Sequence, residues 1–249
     1  MGRAPALLAT PRGIACVALA LVLGVYYSVY ESLPNFTLWW EVVILAFLVI
    51  PTVFGLVYFA LPLWRAPRLL PAGIAVAVLA AVLEIIGLDV LANFGKLAAA
   101  TLLAFWFLTY FETAAWVVLV AVIVPWVDAY SVWRGPTKHI LEQRRELFTT
   151  FSFAFPVPGE LNTAQLGLPD LLFFALFLAA TQRWNLRTKL TWAAMALSFG
   201  GTMALSVYFE LNGLPALPLL AIGFLLPNVD LIWRKLRAEN AFGQLAPRK

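Results

Sequence analysis

Along most of this chain the apolar residues do not alternate with polar ones; they run together in long, nearly unbroken stretches. A helix needs roughly 20 apolar residues to cross a bilayer, and the stretches at residues 13–30, 38–64, 69–91, 164–182, 190–211 and 214–233 reach or approach that length. A further run, 97–133, holds 37 residues, about 55 Å as a single helix and too long for a hydrocarbon core of about 30 Å. It is therefore divided near Glu112-Thr113, although no Gly or Pro marks the break. The pattern predicts eight spans.

Polar punctuation separates them: 31–35, Arg65 with Arg68, Asn93 to Lys96, 183–187 and Asn212-Gly213. Pro51 and Pro62 predict local breaks in the second span, because proline lacks the amide that the helix ladder needs. The only long connection is 134–163. Its first part, 137–147, reads as a short charged helix. Its second part places Phe151, Phe153 and Phe155 on one side and Thr150, Ser152 and Ala154 on the other, closed by Pro156 and Pro158. That period of two predicts a strand or hairpin.

Composition agrees with the pattern. Hydrophobic residues make up 63% of the chain and charged ones 12%, against about 25% charged in ordinary soluble domains. The expected fold is an all-α polytopic membrane bundle, a single domain over 1–249. Residues 1–113 form an N-terminal four-helix part, and 114–249 a second part holding the chemistry argued below. The net charge of +4 comes from residues at helix ends, so the bilayer is the expected partner and nucleic acid is not. Cys16 is the only cysteine, which leaves no intramolecular disulfide and no cysteine metal cluster. Arg3 and Arg12 precede the first span as in a signal peptide, but no Ala-x-Ala-like site follows it, so it is read as an uncleaved helix.

Charge also orients the chain. With eight spans, one side carries Arg3, Arg12, Arg65, Arg68, Arg183, Arg187, Lys189 and the C-terminal basic residues; the other carries Lys96, Arg134, Lys138, Arg144 and Arg145. That is 12 against 5, so the positive-inside rule expects both termini in the cytoplasm and the 134–163 loop outside.

Of the eight acids in or at the edge of a predicted span, five sit near its ends: Glu41, Asp89, Glu112, Glu210 and Asp230 are read as interfacial anchors. Three lie deeper. Asp128 is five residues from the outer end of its span, about 7–8 Å, and Asp170 six residues from the start of the next, about 9 Å. The two spans are consecutive and antiparallel, so the two carboxylates can meet at one depth. Glu84, about 10 Å from the same side, is a candidate third acid. Pro125 lies three residues before Asp128; Gly167 and Pro169 precede Asp170. Irregular helix at membrane depth is tolerated where protein buries it or a wet cavity meets it. Ionisable residues inside spans are expensive and mark functional sites.

Two adjacent carboxyls can share one proton. The ionised member takes a proton from a water that attacks a peptide carbonyl, and the protonated member donates to the carbonyl oxygen. No cofactor and no metal is expected in this scheme. The one histidine, His139, lies in the loop and forms no HExxH pattern.

Certain segments are similar to a known family. Tyr110-Phe111-Glu112-Thr113-Ala114-Ala115-Trp116, continuing through Asp128 to Arg134-Gly135-Pro136, resembles the sixth-helix region of presenilins, and Asp128-Ala129-Tyr130-Ser131-Val132-Trp133 resembles that of archaeal homologues. Leu166-Gly167-Leu168-Pro169-Asp170 is similar to the family's Gly-x-Gly-Asp motif, and Leu214-Pro215-Ala216-Leu217-Pro218 to its Pro-Ala-Leu motif. The three follow family order over about 105–235. The resemblance, closest to archaeal and bacterial members of the presenilin and signal peptide peptidase group, implies an intramembrane aspartyl endopeptidase of a prokaryotic cell membrane. On it, Asp128 and Asp170 are the catalytic dyad, while Gly167, Leu168, Pro169, Pro215, Ala216 and Leu217 shape the site. Substrates would be single-span membrane proteins or signal peptides, whose unwound segment can pair with enzyme strands. The chain departs from the family at Val127, where a Tyr is usual, and at Pro169, which stands for the motif's second Gly.

Two other classes remain open from the residues: a proton-coupled transporter or channel relaying protons through Asp128, Asp170 and Glu84, and an inactive relative that binds membrane helices. The two halves of the sequence show no matching pair of broken helices of the kind that repeat-built transporters carry.

Overall fold

The structure, a computed structural model, describes residues 10–134, 149–161, 163–211 and 214–245. The charged helix expected at 137–147, His139 and the Asn212-Gly213 turn lie outside the described residues. The chain is an all-α polytopic membrane protein with one small hairpin.

Helix α1 covers Pro11–Val29, with Thr10 as its cap: the Thr10 hydroxyl accepts from the Gly13 amide at 3.1 Å. The second span is a composite. Helix α2, Leu38–Ile44, widens into a π turn at Leu45–Val49, resumes as α3, Ile50–Ala60, and tightens into a 3-10 turn at Leu61–Arg65. Both departures fall where proline was expected to act. Pro51 has no amide to give, so the ladder before it slips by one residue, and Pro62 opens the 3-10 turn. Among the described residues, six helical stretches are long and apolar enough to cross a membrane. They include the α1 and α2–α3 stretches, α5 at Asp89–Leu108, α6 at Ala114–Arg134 and α8 at Thr188–Tyr208. The sixth is Leu217–Ala238, built from α9, Leu217–Leu225, and α10, Val229–Leu245, joined by a 3-10 turn at Pro227. The other two predicted spans are shorter helices: α4, Leu69–Ile85, and α7, Leu168–Arg183.

Several boundaries differ from the expectation. The third span ends at Ile85, and the turn that follows is marked by Gly87 at φ 79°, not by Asn93 to Lys96. Those polar residues lie inside α5, Asn93 bonded to the hairpin and Lys96 to Glu84 of α4, which is why they interrupt an apolar helix without ending it. The break near Glu112-Thr113 is present, between Leu108 and Ala114. The basic segment after Trp233 continues as helix to Leu245, with Arg237 over the Trp233 ring at 4.8 Å.

The largest revision concerns the span expected at 164–182. Its first residues are extended, and the helix starts at Leu168. Strand β1, Ser152–Pro156, pairs antiparallel with β2, Thr163–Gly167, with Ala154 opposite Gln165. The strand was legible in the alternation, with a modification. Phe153 and Phe155 are buried, whereas Phe151 is exposed. Phe155 packs edge-on to Phe54, which stacks on Phe174 at 4.0 Å, so the hairpin inserts into the bundle core.

A hairpin at that depth must satisfy its outer edge, since unpaired backbone groups in lipid cost several kcal/mol. On the β1 side the protein does this with side chains. Asn93 donates to the Ala154 carbonyl at 2.8 Å and accepts from the Ala154 amide at 2.9 Å, imitating a strand partner. Tyr27 donates to the same carbonyl and Tyr26 to that of Pro156. At the turn, Gly159 at φ 78° donates to the Tyr30 carbonyl at 2.7 Å, and a Cβ there would collide with Asn35. Asn93→Ala should leave the Ala154 amide unpaired and its carbonyl short of one donor. The expected loss is about 2–3 kcal/mol, read as a lower melting temperature in detergent, with no comparable loss for a conservative change at exposed Val78.

Helix packing elsewhere uses small residues, as is usual where lipid supplies no contrast in hydrophobicity. At Gly200 an added Cβ would come within 2.6 Å of that of Ala46, so α8 lies directly against the π turn of the second span.

Candidate functional site

Helix α6 carries Asp128, and Pro125 stands three residues earlier inside the same helix. The helix packs against α9 and, more lightly, α7, while most of its surface is exposed, with Trp126 and Tyr130 outward. Opposite Asp128 the chain at Leu214 to Ala216 is unwound, and α9 begins at Leu217. The first amides of any helix lack intrahelical partners and carry the positive end of its dipole. Here the Leu217 amide donates to Asp128 Oδ2 at 3.0 Å. Pro215, Ala216 and Leu217 are all buried around that contact. Pro218, the next residue, has no amide to compete for it.

Asp170 reaches the same place by another route. Strand β2 runs directly into α7, and Asp170 is in the first turn of that helix. This revises the depth reasoning: the hairpin, not two turns of helix, brings the second acid to its level. The Leu168 amide donates to the Phe151 carbonyl at 3.0 Å, fixing the helix start to the hairpin register. Pro169 occupies a first-turn position, where a helix has no use for the missing amide. It is exposed, away from the packed core. Gly167 caps the helix, its amide within reach of the Asp170 carboxylate. A Cβ at Gly167 would sit 3.2 Å from Asp170 Oδ2, so the absence of a side chain there makes room for the acid.

Asp128 and Asp170 are both half-buried and near enough for the charge of one to act on the other. Gly167, Leu168 and Pro169 gather at the second acid, and Pro215, Ala216 and Leu217 at the first. Glu84 does not join them. It is the penultimate residue of α4, paired with Lys96 Nζ at 2.8 Å, and lines a separate polar cavity. The depth assigned to it depended on the third span ending near Leu91. With the turn at Gly87, Glu84 belongs to the interface.

Two features escaped sequence reasoning. One is the Leu217 amide, which as a backbone group leaves no sign in the sequence beyond the prolines around it. The other is the free edge of β2. Asn93 takes the Ala154 backbone groups on the side away from β2, and Phe151 bonds toward Leu168. By the alternation of an antiparallel ladder, Gln165 therefore directs its amide and carbonyl away from β1. Among the described residues the sheet has two strands, so no strand occupies that edge.

Neither the protein-family models nor the curated proteins compared with this chain include a match to it.

Proposed function

We propose that this protein is an intramembrane aspartyl endopeptidase of the presenilin and signal peptide peptidase type, with both termini cytoplasmic. The observation that carries the reading is the convergence on one carboxyl pair of three separate devices. These are Asp128 on α6, Asp170 at the hairpin–helix junction, and the Leu217 amide at the unwound start of α9. No cation pairs with either acid among the described residues, so neither is held as half of an ion pair.

The chemistry follows from the pair. One carboxylate accepts a proton from water as its oxygen attacks the scissile carbonyl. The other carboxyl donates its proton to the carbonyl oxygen, giving a gem-diol. Collapse returns a proton to the leaving nitrogen and releases an acid and an amine. The substrate must be extended to expose that carbonyl, and an unwound segment in lipid needs its backbone groups satisfied. The free edge of β2 offers the Gln165 amide and carbonyl five residues before Asp170, which favours strand addition. The pairing of Glu84 with Lys96 weighs against the proton-relay alternative, which needed that acid beside the pair.

The test is reconstitution in liposomes with a single-span substrate labelled at both ends. Two complementary fragments, cut within or beside the span, are expected; intact substrate after prolonged incubation would refute the reading. Gly167→Ala is expected to lower kcat about tenfold, since small misplacements of reacting groups are costly. KM should change little, as the added methyl meets the Asp170 carboxylate and not the edge of β2.

A further inference from the structure

We infer that the polar cavity beside the hairpin is a subsite for a basic side chain on the outer flank of the substrate; this rests on the endopeptidase reading above. The cavity holds about 300 Å³ and lies between the ends of α1, α4 and α5 and one face of the hairpin. Glu84, Asp89 and Lys96 supply its charges, and Thr163 and Gln165 of β2 form part of its wall.

Its free hydrogen-bonding capacity is that of an anion. Lys96 is spent on Glu84 Oε1 and reaches the Thr149 carbonyl at 3.5 Å. Asn93 is spent on Ala154, and Tyr27 donates to the same carbonyl. Ser152 donates toward Gln165 Oε1, and Gln165 Nε2 toward Thr163. What remains is Asp89, which forms no ion pair among the described residues, and the second oxygen of Glu84. Among the described residues, two carboxylates against one ammonium leave the cavity one negative charge in excess. Such a site takes an ammonium or guanidinium group and repels a carboxylate.

The hairpin supplies the means of delivery. Ser152, Ala154, Pro156, Thr163 and Gln165 are on one face of it, and that face lines the cavity. A strand added to the free edge of β2 would lie about 4.8 Å from it and would place every second side chain on that face. From that strand Asp89 and Glu84 lie beyond Gln165, so a side chain directed at them must be long, and lysine and arginine have the longest stems that end in a charge. The cavity therefore selects substrates with a basic residue at one register of the paired segment, and so fixes which peptide bond reaches Asp128 and Asp170.

The experiment measures binding, so that it does not depend on turnover. Fluorescent single-span peptides carry one Lys, Gln or Glu at successive positions of the outer flank. They are titrated against the full chain in phosphatidylcholine nanodiscs, in the Asp170→Asn background, with cleavage by the unsubstituted protein assayed in parallel. At one register the Lys peptide is expected to bind about fivefold tighter than its Gln counterpart. Asp89→Asn should remove the advantage, and Asp89→Lys should transfer it to the Glu peptide. Asp89 makes no ion pair among the described residues, and Asn also suits a first helical turn, so Asp89→Asn should keep the native melting temperature; Asp89→Lys places a cation at the start of α5 and is read only where its own melting curve shows the folded bundle. Equal affinities at every register, or a Lys preference that survives Asp89→Asn combined with Glu84→Gln, would overturn the subsite. Cleavage without charge preference would overturn the subsite alone. A charge preference without cleavage would leave it standing and remove the endopeptidase reading.

Discussion

Asp128→Asn and Asp170→Asn should each lower the cleavage rate by about 10³-fold or more, and the double variant should be little worse than either single one. General acid–base groups typically contribute 10²–10⁴-fold, and groups that act as a unit lose their effect together when either is removed. Asparagine preserves shape and keeps an oxygen for the Leu217 amide, so the bundle should remain folded. The measurement is initial rate in liposomes with melting temperature as the control for folding. Additive losses in the double variant would mean that the two acids work separately.

The second large effect is expected at the edge of β2. Gln165→Pro removes the amide that points away from β1 while leaving the bonds that close the hairpin, so kcat/KM should fall by about 10–100-fold. Leu166→Pro, one residue later, removes an amide directed to β1 and should instead destabilise the hairpin. A substrate carrying an ester in place of the amide facing Gln165 tests the same bond from the other side. It should lose a similar factor with the unsubstituted protein, whatever Gln165→Pro does to folding. Full activity toward the ester substrate at every register would exclude pairing on this edge.

Much of this molecule was legible because membrane helices declare themselves by length and apolarity alone, and each of the eight predicted segments contains a helix. What misled was polarity inside a helix. Asn93 and Lys96 looked like a turn because polar residues in lipid are costly, but they serve the hairpin and the Glu84 pair. The true turn at Gly87 carried only a single glycine as its signal. Asp170 was placed with its partner by helical depth, and the structure places it there by a strand instead. Thr163 to Gly167 was missed as a strand because it joins an apolar helix with no break in composition. Pro169 stood out as a departure because it occupies a position where the resembling motif has Gly. The helix places it where proline is most welcome, in the first turn. The backbone donor at Leu217 could not have been read from side chains at all.

The most direct measurement of the central claim is the pH dependence of kcat/KM for the reconstituted protein. A pair that works with one carboxyl protonated and one ionised predicts a bell, with each limb falling tenfold per pH unit and both limbs governed by the pair as a whole. In Asp128→Asn or Asp170→Asn whatever residual rate remains should lose the bell. A rate that is flat across pH 4–8, or a bell that persists in either variant, would contradict a catalytic Asp128–Asp170 dyad.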